Sequence, residues 1–352
     1  MNTLSSRLFA ALKSPTITST RKGSSFHPSS ASIEVPSPIG GTEIIGACLR
    51  KQYYQMTEAP ITNERVPDWV ISANLGDKIS DLIADYLNEY GFHMGIQRLT
   101  EEHPFYDNRY NVSGRSDLIV WDHNIGEPIG IEVKSVGEYK AGKCIEKPAD
   151  EHVMQCMLYL DYYNHAIPDD QVQINRWYIW YVSRAENWTI KGKKHGSPLT
   201  MMWDYSITLD NNGIPTVHTA NGSERWSTFS LSGIHARYSD LKDCLQKGVL
   251  PPRDFQVQYS DAKITALYKK DLLTRKLDKD KIEKWLKKGA PAGRLKVLLG
   301  DFSCKLCSYA EHCWNNVNDP ISKDSFHLPS TPSVERENKV LTQDSSEDSL
   351  LL

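Results

Sequence analysis

The sequence lacks the features that define several large classes of protein. No apolar run in its 352 residues reaches the roughly 18–20 residues that a membrane helix needs, so we expect no membrane partner. The pattern Gly-x4-Gly-Lys-Ser/Thr does not occur, which argues against an ATP-driven motor. Internal repeats are also absent. The net charge of −3 provides no general attraction to polyanions, so any contact with nucleic acid must come from a local patch.

Cysteines are few and unevenly spaced. The chain has seven of them, at positions 48, 144, 156, 244, 304, 307 and 313. An odd number at such spacing does not suggest a secreted disulfide framework, and it fits a reducing compartment better. A reducing compartment permits thiolate metal ligands. Cys144, Cys156 and Cys244 have the pattern of ordinary buried or loop cysteines.

Both ends of the chain have the composition of disordered segments. The first 33 residues carry four basic residues and no acid, which is typical of a transit peptide or a flexible arm. The C-terminal end is rich in Ser, Asp and Glu and lacks aromatic residues. We therefore predict an arm over 1–35, a single domain over 36–320 and a disordered tail over 321–352. Within the domain, a core over about 70–210 precedes a basic helical region over about 230–320.

Helical and strand patterns alternate through the predicted domain. Apolar residues at spacings of three and four predict helices, and short apolar or aromatic runs predict strands. Predicted helices cover 42–54, 74–90 and 150–165, the last with Asp150 as N-cap. Predicted strands cover 112–122, 129–135, 176–184 and 201–209. Turn residues at 124–128 join the first two strands as a hairpin, and the mixture predicts an α/β core.

Two carboxylates and a lysine lie on the predicted hairpin. Asp117 is on its first strand, and Glu132-Val133-Lys134 is on its second. Because strand residues alternate between faces, Glu132 and Lys134 project from the same face. Carboxylate oxygens are ligands that Mg²⁺ or Mn²⁺ prefers, and the Val133 carbonyl could add another. The alternative is ordinary, since Glu-x-Lys occurs in many strands with one solvated face.

The following helix carries a second signal. Gln155 and Tyr159 are four residues apart, so they share one face of the helix. There an amide and a phenol could hold a nucleic-acid strand or order a metal-bound water. The alternative is an amphipathic helix that happens to carry both side chains.

Taken in order, Asp117, Glu132-x-Lys134 and Gln155-x3-Tyr159 resemble the RecB-like clade of the PD-(D/E)xK nuclease superfamily. The resemblance implies a restriction-endonuclease-like core, in which helices flank a central mixed sheet. It also implies divalent-metal cleavage of DNA, usually by exonucleases. By position, Asp117 and Glu132 would bind the metal and Lys134 would be catalytic. Gln155 and Tyr159 would support the site.

One position departs from the family pattern. Many RecB-like exonucleases have Gly-x3-His on the helix before the sheet, and that histidine contributes to the metal site. The matching stretch begins here at Gly76, and Ser80 stands where the histidine is expected.

Three clustered cysteines need a fourth ligand. Cys304-x2-Cys307-x5-Cys313 cannot close a four-coordinate site alone, and Cys48 is the candidate for the fourth position. This split resembles the iron–sulfur subgroup of RecB-like nucleases, including CRISPR-associated and AddB-type members. The resemblance implies a 4Fe-4S cluster that staples the two ends of the domain together. Zinc is the alternative, since thiolates suit both, and His312 is a further possible zinc ligand.

A basic segment precedes these cysteines. Residues 261–296 contain 12 Lys/Arg and 5 Asp/Glu, in a chain whose net charge is −3. Cations neutralise phosphates and aromatic rings stack on unpaired bases, which favours DNA contact over a merely solvated helix face. The candidate DNA-binding residues are Lys269, Lys270, Arg275, Lys276, Lys284, Lys287 and Lys288.

The sequence therefore favours a metal-dependent DNA nuclease, expected to be an exonuclease on ends or single strands, in repair, recombination or phage DNA processing. The alternatives are an endonuclease or flap nuclease, and a non-catalytic DNA-binding protein that keeps the fold. DNA is the expected partner, and the protein is expected to work alone or with a separate helicase or recombinase. The expected location is the cytoplasm of a bacterium or a phage-infected host, with an organelle left open by the N-terminal arm.

Overall fold

A computed structural model describes residues 25–63, 67–165, 173–184, 188–190, 193–195, 202–273, 276–287 and 299–314. Most of the predicted arm and the whole predicted tail lie outside these residues. Phe26, Ile33 and Val35, however, are buried in the main core. The folded body therefore begins before the boundary at residue 35 that composition suggested, because these apolar side chains pack inside it.

A seven-stranded mixed sheet forms the centre of the protein, in the order β11-β10-β9-β6-β5-β4-β3. Each neighbouring pair is antiparallel except β5 and β6, which run parallel. Two short hairpins, β1–β2 and β7–β8, stand apart from it. The strands are β1 (Ser32–Pro36), β2 (Thr42–Gly46), β3 (Ile96–Asp107), β4 (Val112–Asp122), β5 (Glu127–Val136), β6 (Trp177–Ser183), β7 (Trp188–Ile190), β8 (Lys193–His195), β9 (Met202–Leu209), β10 (Pro215–Thr219) and β11 (Gly222–Arg225).

Nine α-helices are present in the described residues, together with a short 3₁₀ turn at Pro28–Ser30. None of these helices combines the length and the apolar character that crossing a bilayer would require. The helices are α1 (Leu49–Met56), α2 (Pro67–Met94), α3 (Glu138–Cys144), α4 (Asp150–His165), α5 (Leu231–Lys247), α6 (Asp261–Lys269), α7 (Lys276–Lys287), α8 (Phe302–Lys305) and α9 (Ala310–Trp314).

The two faces of the sheet are covered by different helices. On one face, α2 packs Ile83, Ala84 and Leu87 against side chains of β4 and β5. On the other face lies the larger core, which includes α4 and α5. Strand alternation assigns the side chains of β5 to the two cores: Ile131 and Val133 face α2, and Glu132 faces α4. The fold is thus an α/β protein with a central mixed sheet flanked by helices.

The hairpin prediction is confirmed. β4 spans the predicted 112–122, and β5 contains the predicted 129–135 and pairs with it antiparallel. The helix predicted over 150–165 is α4, although Asp150 is its first helical residue rather than its N-cap. With Glu151 it places negative charge in the first turn, where the helix dipole favours it.

The prediction of a helix over 42–54 is wrong for the first half of this segment. Thr42–Gly46 forms β2, which pairs with β1, and α1 begins only at Leu49. Gly46 has φ of 98°, a left-handed conformation that ends the strand and that other residues rarely adopt. Strand pairing therefore overrides the local helical pattern here.

Candidate active site

The predicted carboxylates come from neighbouring strands. The antiparallel register pairs Leu118 of β4 with Ile131 of β5. Asp117, the residue before Leu118, therefore lies beside Glu132, the residue after Ile131. The Val133 amide donates a 2.8 Å hydrogen bond to Asp117 Oδ2, so this carboxylate is tied to the strand that carries Glu132. Only 3% of Glu132 is exposed. The fold therefore brings the acidic pair together in a largely enclosed position.

Helix α4 supplies the groups that hold Glu132. Gln155 Nε2 donates to Glu132 Oε1 at 2.8 Å and lies 2.7 Å from the Tyr159 hydroxyl. That hydroxyl donates to the Arg115 carbonyl at 3.1 Å. Spacing of four residues on one helix face thus links α4 to both strands of the hairpin. Burial and the charge of Glu132 raise the pKa of Tyr159, which keeps it a neutral donor.

Lys134 completes the group. Its ammonium pairs with Glu132 Oε1, two positions earlier on the same face of β5. Burial alone would lower the pKa of Lys134, but Glu132 and then Asp117 raise it, so the side chain stays charged. Asp117, Glu132, Lys134, Gln155 and Tyr159 form what we call the carboxylate site. All five residues predicted from the motifs meet in it.

The carboxylate site has one buried acceptor that the protein leaves unused. Glu132 Oε1 accepts hydrogen bonds from Lys134 and Gln155, whereas Glu132 Oε2 is buried and has no hydrogen-bond partner among the residues that the structure describes. A buried carboxylate oxygen of this kind is costly unless it meets a donor or a cation, and it is a hard ligand suited to Mg²⁺ or Mn²⁺. Across the described residues, no three His, Cys, Asp or Glu side chains are grouped so that they could hold a metal as they stand. The donor chemistry fits such an ion, with Asp117 and the Val133 carbonyl beside Glu132.

Ser80 lies on the other side of the sheet. It belongs to α2, which packs against the face opposite Glu132. The half-buried Ser80 precedes the contact residues Ile83 and Ala84 by one turn.

Two residues near the carboxylate site were not predicted from the sequence. Cys156 is fully buried beside Gln155, and burial followed by the charge of Glu132 raises the pKa of its thiol. His152 is buried on α4, where Lys140 and Tyr181 contact its ring. The available signal was spacing, because His152 precedes Gln155 by three residues and so lies on the same helix face.

The four cysteines predicted to act together converge in one region, the thiol cluster, formed by Cys48, Cys304, Cys307 and Cys313. Cys48 immediately precedes α1, Cys304 lies in α8 and Cys313 in α9. Every pair of these thiols except Cys48 and Cys307 is close enough to interact electrostatically. Burial and then Asp254 raise the pKa of the Cys48 thiol to about 12, so thiolate formation there requires a compensating cation.

Donors already surround these sulfurs. The Tyr309 amide lies 3.4 Å from Cys307 Sγ, and an Arg50 guanidinium nitrogen lies 3.8 Å from Cys313 Sγ. N–H donors directed at sulfur are the outer contacts that stabilise thiolates in metal and iron–sulfur sites. His312, the possible zinc ligand, instead places Nε2 2.7 Å from the Pro60 carbonyl oxygen. The donor set therefore fits four thiolates better than a set that includes His312.

The basic segment forms a unit of its own. Helices α6 and α7 enclose a small core around Ile264, Leu273 and Ile282, separate from both cores of the sheet. Lys269, Lys270, Lys284 and Lys287 are exposed, and Lys287 pairs with Glu283. Arg275 and Lys288 lie outside the described residues, and Lys276 begins α7. The described contacts do not bring these lysines together with the carboxylate site.

No protein-family model matches this chain, and a search of curated proteins finds no significant similarity.

Proposed function

We propose that this protein is a divalent-metal-dependent deoxyribonuclease, acting as an exonuclease on DNA ends or single strands. The observation that carries the proposal is the carboxylate site itself. Two carboxylates and a charged lysine meet on one sheet face, and Glu132 keeps a buried oxygen that finds no partner in the described part of the chain. A solvated strand with a chance Glu-x-Lys would not bury its glutamate and brace it from a second element.

Each residue has a defined task in this proposal. Asp117, Glu132 and the Val133 carbonyl would hold Mg²⁺ or Mn²⁺, which when bound supplies an activated water and offsets phosphate charge. Lys134 donates hydrogen bonds to the attacking water or to the scissile phosphate. Gln155 fixes the Glu132 carboxylate, and Tyr159 fixes Gln155. Hydrolysis adds the water oxygen to phosphorus and breaks one ester bond, and the leaving oxygen takes up a proton.

The thiol cluster has a structural task in the same proposal. Cys48, Cys304, Cys307 and Cys313 would hold a 4Fe-4S cluster, which when bound cross-links α1 to the C-terminal helices. Protein purified without oxygen is expected to be brown, with broad absorbance near ~400 nm. Colourless protein that carries stoichiometric zinc would replace the iron–sulfur assignment with the zinc alternative.

A cleavage assay tests the activity. Anaerobically purified protein is given Mn²⁺ or Mg²⁺ with end-labelled single-stranded, double-stranded and flap DNA, and Asp117→Ala and Lys134→Ala serve as matched variants. We expect metal-dependent cleavage by the wild type and its loss in both variants. Cleavage that survives either substitution would refute the active-site assignment. Internal cuts or flap removal, rather than shortening from ends, would favour an endonuclease.

One observation favours a second candidate function. Ser80 replaces the expected histidine, which suits a non-catalytic DNA-binding protein with the nuclease fold. Binding of DNA without metal-dependent cleavage would support that candidate. In either case the chain would work alone or with a separate helicase or recombinase, since its sequence carries no ATPase motif with which to unwind DNA. The proposed setting is repair, recombination or phage DNA processing in the cytoplasm.

A further inference from the structure

A second group of cationic side chains lies where β5 and β6 end. The Arg184 amide donates to the Val136 carbonyl at 2.9 Å, which sets the end of β6 beside the end of β5. The Arg184 guanidinium lies over Gly137, with Nη2 3.9 Å from the position of a Cβ on that glycine. Lys140 follows on α3, one turn after Gly137. Arg184 thus lies beside the residue that follows β5, and Lys140 lies three residues beyond that residue.

Exposure increases along this path. The side chain of Glu132 is 4% exposed, that of Lys134 is 21% exposed and that of Lys140 is 45% exposed. Arg184 is exposed and makes no ion pair or side-chain hydrogen bond within the described part of the chain. The charged side chains thus become more exposed from Glu132 through Lys134 to Lys140.

Lys140 is held in place by two groups on α4. Its ammonium donates to Glu151 Oε1 at 3.0 Å and lies 3.3 Å from His152 Nε2. An ammonium has three donors, so these contacts leave one for a ligand. Glu151 offsets part of the charge of Lys140.

His152 is itself fixed by buried contacts. Its Nδ1 lies 2.7 Å from the Tyr181 hydroxyl, which also accepts the Ala149 amide at 3.0 Å. If Nε2 accepts from Lys140, the neutral ring carries its proton on Nδ1 and donates it to Tyr181. Burial and then Lys134 and Lys140 lower the pKa of His152, which agrees with a neutral ring between two cations. Tyr181 is paired with Lys134 in the β5–β6 register. The contacts from Tyr181 to His152 and from His152 to Lys140 therefore link Lys140 to the strand next to β5.

We propose that Lys140 and Arg184 bind the DNA phosphate next to the one that is cleaved, and that His152 is the positioning residue for Lys140. The inference rests on the proposed function for the identity of the strand. The group recognised is a phosphodiester oxygen. It accepts one hydrogen bond from the Lys140 ammonium and others from the Arg184 guanidinium. Holding the neighbouring phosphate would fix the register of the scissile one over Lys134.

The experiment measures binding, so it does not depend on cleavage. Full-length protein carrying Asp117→Asn is titrated in EDTA with fluorescent single-stranded DNA at several salt concentrations. Each phosphate contact on a single strand contributes about 0.7 to the slope of log K against log salt. We expect Lys140→Gln and Arg184→Gln each to reduce the slope by about 0.7, and Lys140→Arg to restore it. Lys247→Gln on α5, an exposed lysine paired with Asp243, is the matched control and should leave the slope unchanged.

Scanning the strand with single neutral methylphosphonates identifies the phosphate. One position should weaken binding of the otherwise unsubstituted protein several-fold and have no further effect in Lys140→Gln. His152→Ala should reduce the effect of the methylphosphonate at that position, as Lys140→Gln does. His152→Gln keeps a hydrogen-bond acceptor for Lys140, so it should leave the effect unchanged. Unchanged slopes and an unchanged pattern in folded Lys140 and Arg184 variants would overturn the proposal, even if the cleavage assay succeeds. Altered slopes without any cleavage would leave the phosphate site standing and the nuclease function refuted.

Discussion

The carboxylate site and the thiol cluster are built in opposite ways. All five residues of the carboxylate site come from β4, β5 and α4, a continuous stretch of the chain between two large cores. The thiol cluster joins Cys48 to cysteines beyond residue 300, around a core of only four buried residues. Closing so long a loop costs conformational entropy, and so small a core returns little by burial. The comparison teaches that the first site can form by packing, whereas the second, if it holds the proposed metal cluster, gains its stability from a cross-link through the thiolates.

The largest expected effect comes from removing one thiolate. Cys304→Ser removes the most buried member of the cluster. If the cluster holds a metal as proposed, losing that structural site would cost on the order of 10 kcal/mol of local stability. We expect fast hydrogen exchange throughout 299–314 and around α1, with β4, β5 and β6 still protected. Cys244→Ser, a cysteine outside the cluster, is the matched control. Equal rates of hydrogen exchange in the wild type and Cys304→Ser would show that the region around the thiol cluster folds without a cross-link.

A substitution in the carboxylate site should lower activity while leaving stability almost unchanged. Asp117→Asn keeps an oxygen that can accept the Val133 amide but removes the charge that would bind a metal. We expect cleavage to fall about 10³-fold, equivalent to ~4 kcal/mol of transition-state stabilisation. The melting temperature should stay within about 3 °C of the wild type, because the strand contact is preserved. A variant that loses both together would mean that this site needs its ligand to fold, as we propose for the thiol cluster.

Packing beside the carboxylate site can be tested at Gly130. A Cβ there would lie 2.3 Å from the Trp177 ring, which is fully buried and packs against Tyr159 and Tyr163. Because that ring has no space to move, Gly130→Ala should destabilise the protein by about 1–3 kcal/mol in urea unfolding. Gly76→Ala on α2 is the matched control, since a Cβ there meets nothing within 4 Å and alanine favours the helix by about 0.5–1 kcal/mol. Equal midpoints for the two variants would argue against this packing.

The sequence predicted the elements whose patterns are local. β4, β5, β6 and α4 were predicted because alternation, β-branched residues and turn residues agree with the tertiary structure. The five residues of the carboxylate site followed, since they lie on these elements.

The contacts that the sequence did not predict depend on long-range pairing. Pairing of β2 with β1 replaced a predicted helix. Arg184 lies beside Gly137, three residues before Lys140, because β5 and β6 are parallel neighbours. In the chain these two strands are separated by α4. No spacing rule specifies that pairing, so the proposed phosphate site could be identified only from the fold.

The smallest expected effect lies at Asp161 on α4, whose buried carboxylate contacts one arginine and two histidines. Its carboxylate lies 2.8 Å from Arg109, 3.2 Å from His165 and 3.4 Å from His235. Burial alone would raise the pKa of Asp161, but His235 and Arg109 lower it below its ordinary value of 3.8. A lowered folded-state pKa means that the unfolded state binds the proton more readily, so this carboxylate stabilises the fold above pH ~4. The contribution is lost as pH falls through the lowered folded value.

Asp161→Asn should therefore be less stable than the wild type at pH 7, with the difference shrinking below pH ~4. Urea unfolding at pH 7, 5, 4 and 3 measures it, and a difference that stays constant down to pH 3 would contradict the assignment. Because Asp161 lies on the helix that carries Gln155, cleavage per folded molecule at pH 7 should stay within about twofold of the wild type. That result would show that α4 can lose an ion pair at Asp161 while the carboxylate site, which includes Tyr159 only two residues earlier, keeps its geometry, as expected of a site formed by packing.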